Sequence, residues 1–160
     1  MREVAESLPR LDALRSRVNS FARLKKESNM FAVEVRDHIM IAHSLPDPVF
    51  GPAQGVHGAT FVVDAAFFTQ DIDAHGLVVD IGLASEALAR VLAPLRYGNL
   101  DDKPEFAGKF TTTEFLSHHI WSGLRDIAKA EGLGDHGRLR KIRVTLHESH
   151  VARGWYEADI

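Results

Sequence analysis

The sequence predicts an α+β domain with the element order ββααββ. Two β-rich segments open it, two helix-period patterns with cap signals fill its middle, and an alternating apolar-polar pair closes it.

The first strand runs from Phe31 to about Leu45, where Pro46 and Pro48 break it. Gly51-Pro52 to Gly55 makes a loop before a second strand at 56–69, so the two read as an antiparallel pair. In that second strand His57, Ala59, Phe61, Val63, Ala65 and Phe67 share one face, and Gly58, Thr60, Val62, Asp64 and Ala66 the other. Apolar residues on both faces imply helices on one side and sheet or subunit packing on the other, hence an oligomer. Asp71 to Gly76 turns the chain. Asp80 stands as the N-cap of a helix with Leu83, Ala87, Leu88, Val91 and Leu95 on its buried stripe, ended by Pro94. Thr111-Thr112-Thr113-Glu114 has capping-box spacing ahead of Leu116, Ile120, Leu124 and Ile127, with Gly132 and Gly134 as the stop. Ile142, Val144 and Leu146 then alternate with Arg143, Thr145 and His147, and Val151 to Ala158 gives a last strand beyond a break at Gly154.

Residues 1–29 stand apart from the domain at 30–160. They carry seven Lys or Arg against four Asp or Glu, with Val4, Leu8, Leu11, Leu14, Val18 and Phe21 at three- or four-residue steps, the pattern of an amphipathic helical extension. At 160 residues and 45% apolar content the chain suffices for one domain with a genuine core. The net charge of −3, with no basic stripe among aromatics, argues against nucleic acid as a partner. No apolar run approaches the roughly 20 residues that span a bilayer, so no membrane partner and a cytoplasmic location are expected. The absence of cysteine removes disulfides, thiolate ligands and a cysteine nucleophile together.

Chemistry-bearing residues fall in three places. His43 lies in Ile41-Ala42-His43-Ser44-Leu45, His57 in Val56-His57-Gly58-Ala59-Thr60, and Glu148 in Leu146-His147-Glu148-Ser149. On paired strands His43 and His57 can meet above the sheet while Glu148 closes a pocket from another strand. Other signals have plainer readings. His147-Glu148-Ser149-His150 is one residue short of a zincin motif and lies on a strand, and the adjacent His118 and His119 mid-helix read as solvated. Arg138, Arg140, Lys141 and Arg143 read as a solvated face, part of which is open to a phosphate-bearing substrate.

The set resembles the 6-pyruvoyltetrahydropterin and 6-carboxytetrahydropterin synthases over residues 31 to 158. Ala42-His43-Ser44-Leu45 is similar to the family's first zinc histidine, and His57-Gly58 begins its His-Gly-His pair. Gly76-Leu77-Val78-Val79-Asp80-Ile81-Gly82 is similar to the entry to its first helix, and Leu100-Asp101-Asp102 through Thr112 and Glu114 to its Pro-Thr-x-Glu-Asn stretch. The resemblance implies the tunnelling fold, a four-stranded antiparallel sheet with two helices on one face, in a homo-oligomer (a hexamer or another multiple of trimers or dimers). It implies zinc on His43 and His57, with the third ligand unknown because that position is Ala59. His38, His147, His150 or a carboxylate are the candidates, although strand parity puts His38 opposite His43. It also implies that Glu148 anchors a pterin ring, whose N–H and amino edge matches a carboxylate, with Thr112, Thr113 and Glu114 as further contacts. The family's general-base cysteine falls in Ala53-Gln54-Gly55-Val56, and its Asp-His pair falls on Arg96-Tyr97, which leaves Tyr97 as the candidate acid-base residue. The function implied is a zinc-dependent lyase or synthase acting on the side chain of a 7,8-dihydropterin such as 7,8-dihydroneopterin triphosphate. The alternative is a pterin- or purine-binding protein that has kept the ring pocket without catalysis.

Overall fold

β-Branched and aromatic residues recurring at alternate positions, with Asp37, Ala59 and Ala65 among the exceptions, commit two long stretches to strands. In the computed structural model, which describes residues 29–160, these are β1 (Phe31–His43) and β2 (His57–Thr69). They pair antiparallel in unbroken register from Phe31 opposite Thr69 to His43 opposite His57. After α1 (Ile81–Leu92) and α2 (Thr113–Glu131), the chain returns as β3 (Leu139–His147) and β4 (Arg153–Asp159), giving one antiparallel sheet in the order β1-β2-β3-β4. The expected ββααββ order and tunnelling-fold sheet are therefore present, and residues Phe31–Ile160 form one compact unit. The amphipathic extension expected at 1–29 lies outside the described residues, apart from its last position.

Strand parity decides what the helices cover. Val35, Ile39, Ile41, Phe61, Val63, Ala65, Phe67, Ile142, Val144 and Leu146 are buried, and with Leu88, Leu92, Leu116, Ile120 and Leu124 they make a single core between the sheet and both helices. Burying a residue of the size of Phe61 stabilises the fold by about 1.5–3 kcal/mol in area terms. Trp121 packs at the same boundary and donates its indole N–H to the carbonyl of Ile142 at 3.0 Å, so a large ring is buried without stranding its one donor. No helix among the described residues covers the opposite sheet face. There the side chains are Arg36, His38 and Met40 on β1, Arg143, Thr145 and His147 on β3, and Arg153 and Trp155 on β4.

Four local readings need correction. The α1 stripe is Ala84, Ala87, Leu88 and Leu92, so the helix turns its buried side toward Ala84 and leaves Leu83 45% exposed. Asp80 caps that helix as expected, its side chain accepting from the amide of Leu83 at 3.0 Å. The cap of α2 is Thr112, which accepts from the amide of Phe115, so Thr111 and Glu114 do not form a capping box. Gly154 sits inside β4 and breaks nothing; a Cβ there would lie 3.0 Å from the Cγ2 of Thr113, so its lack of a side chain lets α2 start against the strand. His119 is partly buried, its ring 4.9 Å from that of Phe106, and desolvation lowers its pKa, unlike the solvated imidazole expected.

Candidate functional site

The register of β1 and β2 puts His43 and His57 directly across from each other at the end of the hairpin, and their ring centroids are 4.5 Å apart. His43 is 3% exposed. Its Nδ1 lies 3.1 Å from the carbonyl oxygen of Thr111 and 3.0 Å from that residue's hydroxyl. The Nδ1 of His57 lies 2.9 Å from the carbonyl oxygen of Gly55. A carbonyl only accepts, so Nδ1 carries a proton on both rings, and the lone pair of a neutral ring then lies on Nε2. Burial, followed by the neighbouring His57, holds the pKa of His43 below the usual imidazole value and so favours that neutral form. The Nε2 of His43 is buried with no hydrogen-bond partner among the described residues.

Three threonines in succession make this possible. Thr111 turns inward to His43, Thr112 caps α2, and Thr113 donates its hydroxyl to Glu148 Oε2 at 3.1 Å. Glu148 follows β3 directly, on the helix side of the strand by alternation, and the tight turn to β4 is closed by its amide donating to the carbonyl of Ala152. The end of β1 is tied down separately. The side chain of Asp101 accepts from the amide of Ser44, and the amide of Ala42 donates to the carbonyl of Gly98.

His43, His57, Thr112, Thr113 and Glu148 line one cleft of about 290 Å³. One wall is His43 and His57, and a second is Thr112, Thr113, Glu114 and Glu148. The third wall, Leu45, Phe50 and Ala53, is apolar and went unrecognised as a wall in the sequence. It forms because the loop from Pro48 to Gln54 folds as 3₁₀ turns back onto the strand end, where the amide of Leu45 donates to the carbonyl of Ala53. The proline-rich composition marked that loop as a turn but not the direction of its fold. The cleft therefore offers a carboxylate and hydroxyls on one side, two imidazoles on another, and an aromatic and aliphatic face on the third. That combination suits a flat heterocycle with a donor edge.

Six of the seven expected site residues meet there: His43, His57, Thr112, Thr113, Glu114 and Glu148. Tyr97 does not. It is 80% exposed, outside the cleft lining of its own chain, with its backbone at φ 57° and its amide donating to the carbonyl of Met40. An acid-base role for it within one chain is therefore unsupported. Its neighbour Arg96 is engaged in an ion pair with Asp37. Of the candidate third ligands, His38 lies on the far face of β1, His147 faces away and contacts Asp64, and His150 is in the exposed turn after β3. Among the described residues no three His, Asp or Glu side chains gather as a metal-binding group. The donor set thus fits zinc to the extent of two oriented imidazoles, one with an orphaned buried nitrogen.

Comparisons with known proteins agree with this architecture. A model of the 6-pyruvoyl tetrahydropterin synthase family matches residues 32–159. The Caenorhabditis elegans 6-pyruvoyl tetrahydropterin synthase is similar in fold at TM-score 0.67 and 22% identity, over 81% of this chain and 96% of that one. The Plasmodium vivax enzyme of the same name superposes at TM-score 0.67 and 16% identity, over 83% and 100% of the two chains. The Plasmodium falciparum one does so at TM-score 0.64 and 16% identity, with the same coverage. No curated protein matches the sequence significantly. A family match across nearly all of the described residues establishes that this chain belongs to the 6-pyruvoyl tetrahydropterin synthase family.

Proposed function

We propose that the cleft binds a 7,8-dihydropterin and that the protein is a zinc-dependent lyase or synthase acting on the side chain of that ring, with 7,8-dihydroneopterin triphosphate as the leading substrate. The observation that carries this reading is the convergence of His43, His57 and Glu148 on one cleft. Glu148, held by Thr113, accepts from the N–H and amino edge of the ring. Thr112 and Glu114 flank the same edge, and Phe50 supplies a flat face. His43 and His57 would hold the zinc through Nε2, with Thr111 and Gly55 fixing the ring orientation. Zinc, when bound, supplies Lewis-acid polarisation of side-chain oxygens and eases proton removal beside them.

A homo-oligomer belongs to this proposal. β4 closes the sheet with its outer edge unpaired among the described residues, and such an edge is a template for another strand. Among the described residues no helix is long and apolar enough to cross a membrane, and we place the protein in the cytoplasm.

A second reading has its own observation. Ala53 lies on the cleft wall in the segment where the resemblance sets a basic cysteine, and Tyr97 is outside that wall. This favours a binding protein that retains the ring pocket without turnover. Incubation with 7,8-dihydroneopterin triphosphate and zinc, with products read by mass spectrometry, separates the two. Turnover supports the enzyme, binding without turnover selects the binder, and the absence of both removes the pterin reading.

A further inference from the structure

The sheet face opposite the two helices carries a second hollow, separate from the cleft. Arg36, Asp64, Thr145 and Trp155 are successive register partners across β1 to β4, and His147 with Arg153 forms a neighbouring row. About 270 Å³ opens above them, with Arg143, Arg153, His147 and Trp155 among its walls.

The charges there are unevenly committed. Asp64 is 4% exposed, and its carboxylate is filled: Arg36 donates to it twice, at 2.6 and 2.8 Å, and His147 Nε2 lies 2.8 Å from Oδ2. The carboxylate of Glu157 is divided, one oxygen 2.9 Å from Lys141 and the other 3.7 Å from Arg143. Arg143 keeps a buried Nε with no hydrogen-bond partner among the described residues. Arg153 lines the hollow and enters no ion pair among those residues. Glu34, exposed at the rim, is the other carboxylate in the lining. Two guanidinium groups with spare donors thus face one hollow beside an indole that is 59% exposed.

We propose that this hollow is an oxyanion site that takes a phosphate or carboxylate group between Arg143 and Arg153, against the flat wall of Trp155. Guanidinium groups bind both anions through paired N–H donors. The Arg36–Asp64–His147 cluster holds the floor in place and withholds its negative charge from the ligand.

The test titrates the full-length protein with inorganic phosphate, and separately with benzoate, at constant ionic strength, following tryptophan fluorescence and heat. Trp155 is one of only two tryptophans, and Trp121 is buried, so the signal reports this face. The expected result is saturable binding of one anion per chain, weakened at least tenfold in Arg153→Gln and in Arg143→Gln and unchanged in Glu148→Gln. Tighter phosphate binding assigns the site to phosphate, and tighter benzoate binding to a carboxylate. Arg153 is exposed, so its variant remains interpretable even where Arg143→Gln folds poorly. Absence of saturable binding by both anions, or wild-type affinity in Arg153→Gln, overturns the proposal.

Discussion

On the helix-covered face of the sheet, His43 is buried and shares its Nδ1 proton with the carbonyl and hydroxyl of Thr111; on the open face, His147 places Nε2 against the carboxylate of Asp64. The first partner is neutral and the setting desolvated, which favours the neutral ring, with a lone pair that meets no partner among the described residues. The second partner is ionic, and the ring becomes one strut in a charged cluster with Arg36. The same residue type is therefore a ligand in waiting on one face and a fastener on the other. The partner of the ring, more than the ring itself, decides which.

Substitutions sharpen that contrast. The largest effect is expected from Phe61→Ala, which empties the helix-covered side at a fully buried position and costs about 3–5 kcal/mol in urea denaturation. Trp155→Ala on the open face is expected to stay within about 0.5 kcal/mol. Equal losses would show that the open face is packed as tightly as the covered one.

Next comes Glu148→Gln, which exchanges a charged acceptor for a neutral one. A loss of about 1.5–3 kcal/mol in dihydropterin binding, tenfold or more in Kd, is expected with little change in stability. Asp64→Asn should act the other way round, costing about 1–2 kcal/mol of stability and leaving pterin affinity alone. Its pH dependence has a definite sign. Arg36 first, and then His147, hold the native carboxyl of Asp64 below its ordinary value. The stability it contributes is therefore full above the unfolded value of about 3.9 and is lost as pH falls through the depressed native value. Denaturation midpoints measured from pH 6 down to 2 should show this part of the acid limb disappear in Asp64→Asn. The smallest effect is expected from Gly154→Ala. Its new methyl would press on Thr113, costing about 1 kcal/mol and weakening ligand binding through the Thr113–Glu148 contact.

Much of this was legible from residue order. Period-two alternation in β2 assigned Phe61, Val63, Ala65 and Phe67 to one face, and parity correctly kept His38 away from His43. The meeting of His43 and His57 followed from two strands joined by one loop. What was hidden depended on choices between equivalent neighbours. Three adjacent threonines offer three possible caps, and only the burial of His43 beneath Thr111 selects Thr112. Gly154 read as a break because its reason for being glycine, the start of α2 at Thr113, lies far upstream in the sequence. Phe50 and Leu45 needed the path of the loop. The Arg36–Asp64–His147 cluster needed the register of three strands, which no single segment encodes.

The most direct test measures binding of 7,8-dihydroneopterin by calorimetry to the wild type, Glu148→Gln and Asp64→Asn. One site per chain is expected, at least tenfold weaker in Glu148→Gln and unaltered in Asp64→Asn. Wild-type affinity in Glu148→Gln would contradict the assignment of the cleft.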